Sequence, residues 1–214
     1  MQGDDVMDKK KIVMTIFFAI CVIVIVVCII IQVVINKETK KLEKESEKFD
    51  TLVTTTNSGQ EVETEYIRVE NNKFFIKVPT SFKTLNSEAI NERYSGDVPG
   101  VVFSNDEGTI NIAINMTEND MKNNEIKDYK THMEGLLKES DGEIVSASYY
   151  EVDNHNVGQI KLISDSGDTK IYNNTIFFAY NDKLIIVTFN CTKELQEEWQ
   201  GVGDFITDSL FFTE

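Results

Sequence analysis

The sequence predicts an α+β fold, with an antiparallel sheet covered by helices, placed behind one N-terminal transmembrane helix. Residues 12–35 contain no charge, no Pro and no Gly. Further along, short segments of strand-like composition follow one another through tight turns, which favours antiparallel pairing. Two longer segments have apolar residues at helical spacing, so each predicts a helix with one face against a sheet.

The apolar segment, residues 12–35, predicts a membrane span. As a helix rising about 1.5 Å per residue, it would reach roughly 36 Å, enough to cross a hydrocarbon core. It follows a short polar tail, residues 1–11, that ends in three consecutive Lys. The segment is longer than the apolar region of a secretory signal, and no small-x-small cleavage site follows it. We therefore interpret it as an uncleaved signal anchor in contact with the lipid bilayer.

Two rules conflict over the orientation of this anchor. Five Lys lie shortly after the span, and the positive-inside count taken literally would keep the following domain in the cytoplasm. However, a first helix with a basic N-terminal segment usually inserts with its N-terminus inside. We therefore predict a single-pass protein of the cell membrane with an extracytoplasmic C-terminal domain.

Residues 36–60 are interpreted as a charged stalk followed by a flexible linker. The part from Asn36 to Asp50 mixes Lys and Glu without a continuous apolar stripe, which is typical of a solvated segment. The part from Thr54 to Gln60 is rich in Thr, Ser, Asn and Gly. Residues 61–214 are then one globular domain, long enough to bury a core.

The globular domain is acidic. Residues 1–60 contain eight Lys and eight acidic residues, so residues 61–214 carry the whole net charge of −15. An acidic surface repels phosphate backbones, and nucleic acid is therefore excluded as an expected partner. The abundance of Ile, Lys, Asn and Glu suggests a bacterial chain.

Strands are predicted wherever β-branched and aromatic residues occur between turn residues. In Thr109–Met116, Ile alternates with Asn and Ala, the pattern of a half-buried strand. The predicted turns are Asn71-Asn72, residues 105–108, 153–156 and 165–168, and Asn181-Asp182. The predicted strands are Tyr66–Val69, Lys73–Val78, Val101–Ser104, Thr109–Met116, Glu143–Val152, Val157–Ile163, Lys170–Tyr180 and Lys183–Asn190.

Helices are predicted in three places. A short one begins near Ser87, and a longer one occupies Asp120–Glu139, with its apolar stripe ending before Gly142. The last helix occupies Lys193–Phe211, around Trp199. Gly201 and Gly203 fall inside it and each weakens a helix by about 1 kcal/mol relative to Ala, so they are interpreted as marking a kink or a close approach to the sheet.

This element order resembles the fold shared by PsbP proteins and the Ran-release factor family. The segment Phe74–Phe82 looks like that group's opening strand, Pro, small residue and aromatic residue, with Phe82 where Trp is usual. The hairpin Ile176–Phe189 and the helix around Trp199 also fit, and the resemblance covers about residues 65–212. It implies a PsbP-like sandwich and a non-enzymatic accessory or binding role, and it assigns no functional residue.

No residue pattern predicts a catalytic, cofactor-binding or metal site. His132 and His155 are the only His, and no CxxC, HExxH or second His lies near either in the sequence. Cys191 is the only Cys after residue 28 and is interpreted as a small buried hydrophobe. Asp165, Ser166 and Asp168 are interpreted as turn residues without calcium-loop spacing. Asn115, Asn173 and Asn190 begin glycosylation triplets, which are interpreted as chance matches in an Asn-rich chain.

The function predicted from these observations is a membrane-anchored, non-catalytic, extracytoplasmic binding or accessory domain that recognises a protein or an envelope component. Two alternatives remain open. One is a cell-envelope hydrolase with an unrecognised pair of carboxylates, and the other is an immunity or sensory accessory subunit of a membrane complex.

Overall fold

The computed structural model describes residues 51–69, 74–94, 98–140, 142–167 and 169–213. The predicted tail, the apolar segment 12–35 and residues 36–50 lie outside this range, as does the predicted turn at Asn71-Asn72. Within the described ranges, no helix combines the length and the apolar composition needed to cross a membrane.

The strands of the described residues pair antiparallel throughout. Turns connect some of them and helices connect the others. In chain order the strands are β1 (Leu52–Thr55), β2 (Glu61–Val69), β3 (Phe74–Pro79), β4 (Lys83–Thr84), β5 (Val101–Ser104), β6 (Ile110–Asp120), β7 (Glu143–Val152), β8 (His155–Ser166), β9 (Thr169–Tyr180), β10 (Lys183–Thr192) and β11 (Phe211–Phe212).

Three α-helices accompany these strands. They are α1 (Ser87–Arg93), α2 (Ile126–Glu139) and α3 (Gln196–Asp208). The Asn86 side chain caps α1 by accepting a hydrogen bond from the Ala89 N–H at 2.9 Å. Single turns of 3₁₀ helix, Asn123–Glu125 and Lys193–Leu195, precede α2 and α3.

The strands form two sheets where the sequence predicts one. The smaller has the order β1-β2-β3-β11, and the larger has the order β4-β5-β6-β10-β9-β8-β7. The main core, which includes Phe74, Ile112, Phe178 and Phe189, lies on the face of the larger sheet that carries α3. We call this the core face.

The opposite face of the larger sheet, here called the outer face, is covered in two places. Helix α2 packs on β7, β8 and β9, where the Tyr129 ring meets Phe177 edge-on at a centroid distance of 5.1 Å. Helix α1 covers the other end, where Ile90 packs with Val102 and Ala113. The antiparallel sheet with helices packed on it is therefore as predicted.

The first strand is a correction to the predicted flexible linker. Residues 52–55 pair with β2 from Leu52↔Thr64 to Thr55↔Glu61, so part of the 36–60 segment belongs to the folded domain. The reason is long-range: the Thr64 hydroxyl donates to the Leu52 carbonyl at 2.8 Å, and the turn before β2 contacts Glu198 of α3. The composition of a short segment cannot predict such long-range contacts.

Two predicted helix boundaries are also wrong. Residues up to Asp120 continue β6, because β6 pairs with β10 as far as Asp120↔Lys183, and α2 begins only at Ile126. At the other end, α3 stops at Asp208. The Ser209 hydroxyl accepts from the Lys77 N–H of β3 at 2.8 Å, and Phe211–Phe212 then pair with β3.

Two of the hairpin turns of the larger sheet, β7–β8 and β9–β10, contain two residues each. Asn181 and Asp182 have φ of 49° and 57°, as predicted for a tight loop. Asp153 and Asn154, with φ of 46° and 67°, form the same kind of turn, so the predicted four-residue turn is two residues shorter. These turns fix which residues of β7–β10 lie side by side.

Candidate functional site

A polar groove on the outer face is the candidate functional site. It has a volume of about 690 Å³, within the usual range for small-molecule sites. It lies at the end of the sheet marked by the β5–β6 and β8–β9 turns, beside the C-terminus of α1. We call it the Asn groove, and it is lined by Arg93, Tyr94, Glu107, Gly108, Asn111, Ser164, Asp165, Ser166, Ile171, Asn173 and Asn190.

The floor of the Asn groove is a row of three Asn side chains on adjacent strands. Asn190 of β10 pairs in register with Asn111 of β6 on one side and with Asn173 of β9 on the other. Neighbouring strands lie about 4.8 Å apart, so the three amides form a ladder across the sheet. All three point away from the core face, because side chains alternate along each strand.

The amide of Asn111 is only partly satisfied. Its Nδ2 donates to Asn190 Oδ1 at 3.0 Å and to the Gly108 carbonyl at 3.4 Å. Its Oδ1 is buried and has no hydrogen-bond partner. A buried acceptor left unpaired costs about 1–3 kcal/mol, so a small shift of the Asn111 side chain that brings this atom to a donor in the groove is favoured.

The third amide is held by its own neighbours. Asn173 Nδ2 donates to Ser164 Oγ at 3.1 Å and to the Ile171 carbonyl at 3.2 Å. This leaves the ladder with amide and hydroxyl groups in fixed directions. Such an arrangement can hydrogen-bond a ligand without ordering long side chains first.

The rim of the groove carries charges of both signs. The Arg93 guanidinium lies against Gly108 and contacts Ser104 Oγ at 3.4 Å. Glu107 accepts a hydrogen bond from Asn105 Nδ2 at 3.0 Å. On the opposite side, Asp165 lies 3.9 Å from Lys170 Nζ.

Gly108 suits the turn from β5 to β6. Its φ of 74° is in the left-handed region, which glycine adopts without strain. A Cβ there would meet the Arg93 guanidinium at 2.9 Å, so a larger residue would displace this flexible end of the Arg93 side chain. The neighbouring Asn105 accepts the Thr109 and Ile110 N–H groups at 2.9 and 3.0 Å, which fixes the turn that positions Asn111.

Tyr94 closes the groove at the end of α1. Burial raises the pKa of its hydroxyl, while a hydrogen bond with Asn190 and the charge of Arg93 oppose that rise. The hydroxyl therefore stays protonated around neutral pH and contributes a neutral hydrogen-bonding group beside the ladder.

The residues singled out in the sequence occupy different places. Cys191 is fully buried on the core face, and burial raises the pKa of its thiol to about 12. His132 is exposed on α2, whereas the His155 ring stacks on Phe212 at a centroid distance of 3.7 Å. Asp165 and Ser166, interpreted as turn residues, instead end strand β8 and line the Asn groove, and Asp168 lies outside the described residues.

The described residues assemble neither a His- or Cys-based reactive site in the Asn groove nor a cluster of metal ligands. None of the residues lining the Asn groove is a His or a Cys. Across the described ranges, no group of three or more His, Cys, Asp or Glu side chains could hold a metal ion. The amides and hydroxyls of the groove donate and accept hydrogen bonds, and Arg93, Glu107 and Asp165 add charges at its rim.

A second polar cluster lies on the core face beneath α3. Asn174 Nδ2 donates to Asp204 Oδ1 at 2.8 Å and to Thr207 Oγ1 at 3.1 Å, and Gln159 Nε2 donates to Asn174 Oδ1 at 2.9 Å. Lys161 Nζ lies 2.7 Å from Asp204 Oδ1. These contacts tie α3 to β8 and β9, which is a structural role.

This cluster contains a pair of carboxylates on one face of α3, Asp204 and Asp208. Asp204 and Asp208 are one helical turn apart, and burial followed by the charge of Asp204 raises the pKa of Asp208. However, Asp204 is engaged by Lys161, and neither residue lines the Asn groove. The pair therefore lies outside the candidate site.

The comparisons with known proteins concern the fold. No family model matches the chain, and no curated protein matches it in sequence. The solution structure of PsbP (CyanoP) from Synechocystis sp. PCC 6803 is similar with a TM-score of 0.51 and 13% identity, over 70% of this chain and 92% of that one.

Two further structures are similar at lower scores. LpqN of Mycobacterium tuberculosis, described as involved in cell envelope biogenesis, has a TM-score of 0.47 and 9% identity over 72% of this chain and 92% of that one. PA94 of Pseudomonas aeruginosa, described as a putative regulator, has a TM-score of 0.37 and 10% identity over 65% and 90%. At these identities the likeness concerns the fold alone, and the PsbP comparison shows that the domain has a PsbP-like fold.

Proposed function

We propose that this chain is a membrane-anchored, non-catalytic, extracytoplasmic binding domain that holds an envelope component in the Asn groove. The observation that carries the proposal is the Asn ladder, in which the buried Oδ1 of Asn111 lacks a partner. A ligand that donates a hydrogen bond to this atom would remove the cost of leaving it unpaired.

The anchor is supported by the sequence. Residues 12–35 are uncharged and long enough to span a bilayer, and three Lys precede them. The folded domain begins at about residue 51, so up to 15 residues would separate it from the membrane surface.

The absence of catalysis is supported by the chemistry of the lining. Ser164 and Ser166 are the hydroxyl nucleophiles at the groove, and no His lies beside them to act as a general base. A binding site of this composition recognises polar ligands by hydrogen bonds and leaves their covalent bonds intact.

One observation favours the hydrolase alternative. Glu107 and Asp165 both line the Asn groove, and two carboxylates flanking a bond are the machinery of many glycosidases. Each is already engaged, Glu107 by Asn105 and Asp165 by Lys170. Turnover of a bound ligand that disappears in both Glu107→Gln and Asp165→Asn would replace the non-catalytic proposal with this one.

Protease accessibility tests the predicted orientation. Protease added to intact cells should remove the domain if it is extracytoplasmic. Cleavage only after lysis would place the domain inside and contradict this part of the proposal.

Photocrosslinking in native cells tests the groove. A photoreactive residue at Ser166, which is exposed and lines the groove, should trap an envelope component. The matched control is the same residue at Gln200, exposed on α3 at the core-face side. Equal capture at both positions, or capture at Gln200 alone, would contradict binding in the groove and favour an accessory subunit docking elsewhere.

A further inference from the structure

We infer that the Asn groove takes a neutral saccharide, namely an extended oligosaccharide of N-acetylhexosamine residues. This inference rests on the proposed function and names the ligand class of the same site. It follows from four properties of the groove: the neutrality of its hydrogen-bonding groups, the charges at its rim, the spacing of its ladder and the apolar surface at its sides.

The hydrogen-bonding groups of the groove are mostly uncharged. The floor consists of Asn111, Asn190 and Asn173, with the hydroxyl of Ser164 beside them. An amide side chain offers both a donor and an acceptor, which matches sugar hydroxyls and acetamido groups, since both of these also donate and accept. A phosphate or carboxylate ligand offers acceptors only and would leave Asn111 Oδ1 unpaired.

The charges at the rim argue against an ionic ligand. Arg93 is the basic residue of the lining, against Glu107 and Asp165. A polyanion would meet two carboxylates here and a net charge of −15 over the whole chain. A cation would compete with Asn105 and Lys170, which already engage the two carboxylates.

The ladder has a regular spacing. Asn111, Asn190 and Asn173 lie in one register across three neighbouring strands, about 4.8 Å from one to the next. This spacing is comparable to the advance of one sugar along an extended pyranose chain that crosses the strands. Because successive β-1,4-linked sugars are turned by half a rotation, each ring would lie over one amide and the acetamido group of every second sugar would face the floor. A peptide strand has a shorter rise per residue, about 3.3 Å, and would pair along the edge of a sheet instead of crossing its face.

The sides of the groove suit the apolar faces of sugar rings. Tyr94 and Ile171 are both half-buried and contribute ring and aliphatic surface next to the amides. Sugar binding combines hydrogen bonds with such surface, and Tyr94 keeps its hydroxyl proton because burial raises its pKa.

Binding of chitotetraose to the full-length chain tests the inference. The chain is kept in a detergent without a sugar headgroup, and side-chain amide resonances are followed by NMR. We expect millimolar or tighter binding that shifts the amide signals of the ladder. The deacetylated, cationic chitosan tetramer and an anionic hyaluronan tetramer serve as charged probes and should bind more weakly.

Two variants locate the binding. Asn111→Ala should weaken chitotetraose about tenfold, the effect of losing one well-formed hydrogen-bonded group. Asn115→Ala is the matched control, because Asn115 lies four residues along the same strand on the same face, outside the lining. Its affinity should stay that of the wild type. Asn173→Ala provides a second ladder variant if Asn111→Ala does not fold.

The outcomes separate this inference from the proposed function. No shift of the ladder signals, tighter binding of either charged tetramer, or equal losses in Asn111→Ala and Asn115→Ala would overturn the saccharide inference. Capture of a protein partner at Ser166 would still leave the binding function standing. Cleavage of chitotetraose would overturn the non-catalytic function and leave the ligand class intact.

Discussion

At the scale of single residues, Gly201 and Gly203 show how two positions in one helix differ. Gly203 of α3 lies against the sheet, and a Cβ there would clash with the Phe189 ring. Gly201 is exposed, with open space where a Cβ would go. The close approach predicted from these glycines is therefore made by Gly203.

Replacing each of the two glycines by Ala should change the stability of the domain in opposite directions. Gly203→Ala should destabilise the domain by about 1–3 kcal/mol through overpacking, whereas Gly201→Ala should stabilise it by up to about 1 kcal/mol through helix propensity. The free energy of unfolding in urea, measured by circular dichroism, checks both. Stabilisation by Gly203→Ala would mean that α3 can move off Phe189 without cost.

Cys191 gives a second prediction at this scale. Because burial raises its thiol pKa to about 12, the thiolate should be scarce in the folded protein. In a Cys21→Ser/Cys28→Ser background, we expect no reaction with a thiol reagent at about pH 8 until denaturant is added. Prompt labelling of the native protein would contradict the buried position.

The Asn ladder also shows which part of the site could be predicted from the sequence and which part could not. With a two-residue turn at Asn181-Asp182, strict hairpin pairing places Asn173 opposite Asn190, so that half of the ladder could be read from the sequence. The partner on the other side, Asn111, is on a strand far away in the chain. Nothing local to Asn111 indicates that β6 pairs with β10, and the groove could not be predicted.

At the scale of elements, the turn between β1 and β2 is attached to α3 through Glu198. The Ser58 N–H donates to the two carboxylate oxygens at 3.2 and 3.1 Å, and the Ser58 hydroxyl also donates to one of them. The Asn57 N–H donates to the Glu198 carbonyl at 3.1 Å. This attachment joins the first strand of the domain to its last helix.

The attachment predicts a pH dependence. Hydrogen bonds from the Ser58 and Thr56 hydroxyls hold the pKa of Glu198 below its ordinary value of 4.5. A carboxyl whose folded pKa is depressed stabilises the fold above its unfolded pKa, and this contribution is lost as the pH falls through the folded pKa. Glu198→Gln should therefore lower the melting temperature at neutral pH, with the difference from wild type shrinking below the ordinary pKa.

Glu197→Gln is the control for this prediction. Glu197 is exposed in the same first turn of α3, so it reports any general effect of removing a negative charge from the helix N-terminus. A pH-independent loss in Glu198→Gln, or an equal loss in Glu197→Gln, would show that the hydrogen bonds to the turn are not responsible.

Element boundaries were predicted well where the signal is local. The start of the short helix near Ser87 is predicted from the sequence, as are the central parts of β7, β8, β9 and β10. The boundaries at Asp120 and Asp208 were missed, because β6 is extended by β10 and α3 is stopped by contacts with β3. Periodicity along one segment carries no information about such partners.

At the scale of the whole molecule, the sequence predicts the antiparallel character but not the division into two sheets. Consecutive hairpins account for β7 to β10, and these could be ordered from their turns. The smaller sheet joins the N-terminal strands β1–β3 to β11 at the other end of the chain. Only two residues of β11 make that connection, too few to give a pattern.

The position of β1 gives the last prediction, which concerns where the folded domain begins. A fragment of residues 51–214 should be more stable than one of residues 61–214, because the shorter fragment loses the pairing from Leu52↔Thr64 to Thr55↔Glu61 and the attachment of Ser58 to Glu198. Since Leu52 and Val53 are half-exposed, the loss of stability consists mainly of hydrogen bonds, about 1–3 kcal/mol.

Removing β1 also uncovers the edge of β2, so the shorter fragment should associate more at high concentration. Urea denaturation and size-exclusion chromatography measure the two effects, and equal stability of the two fragments would return residues 51–60 to the role of a linker.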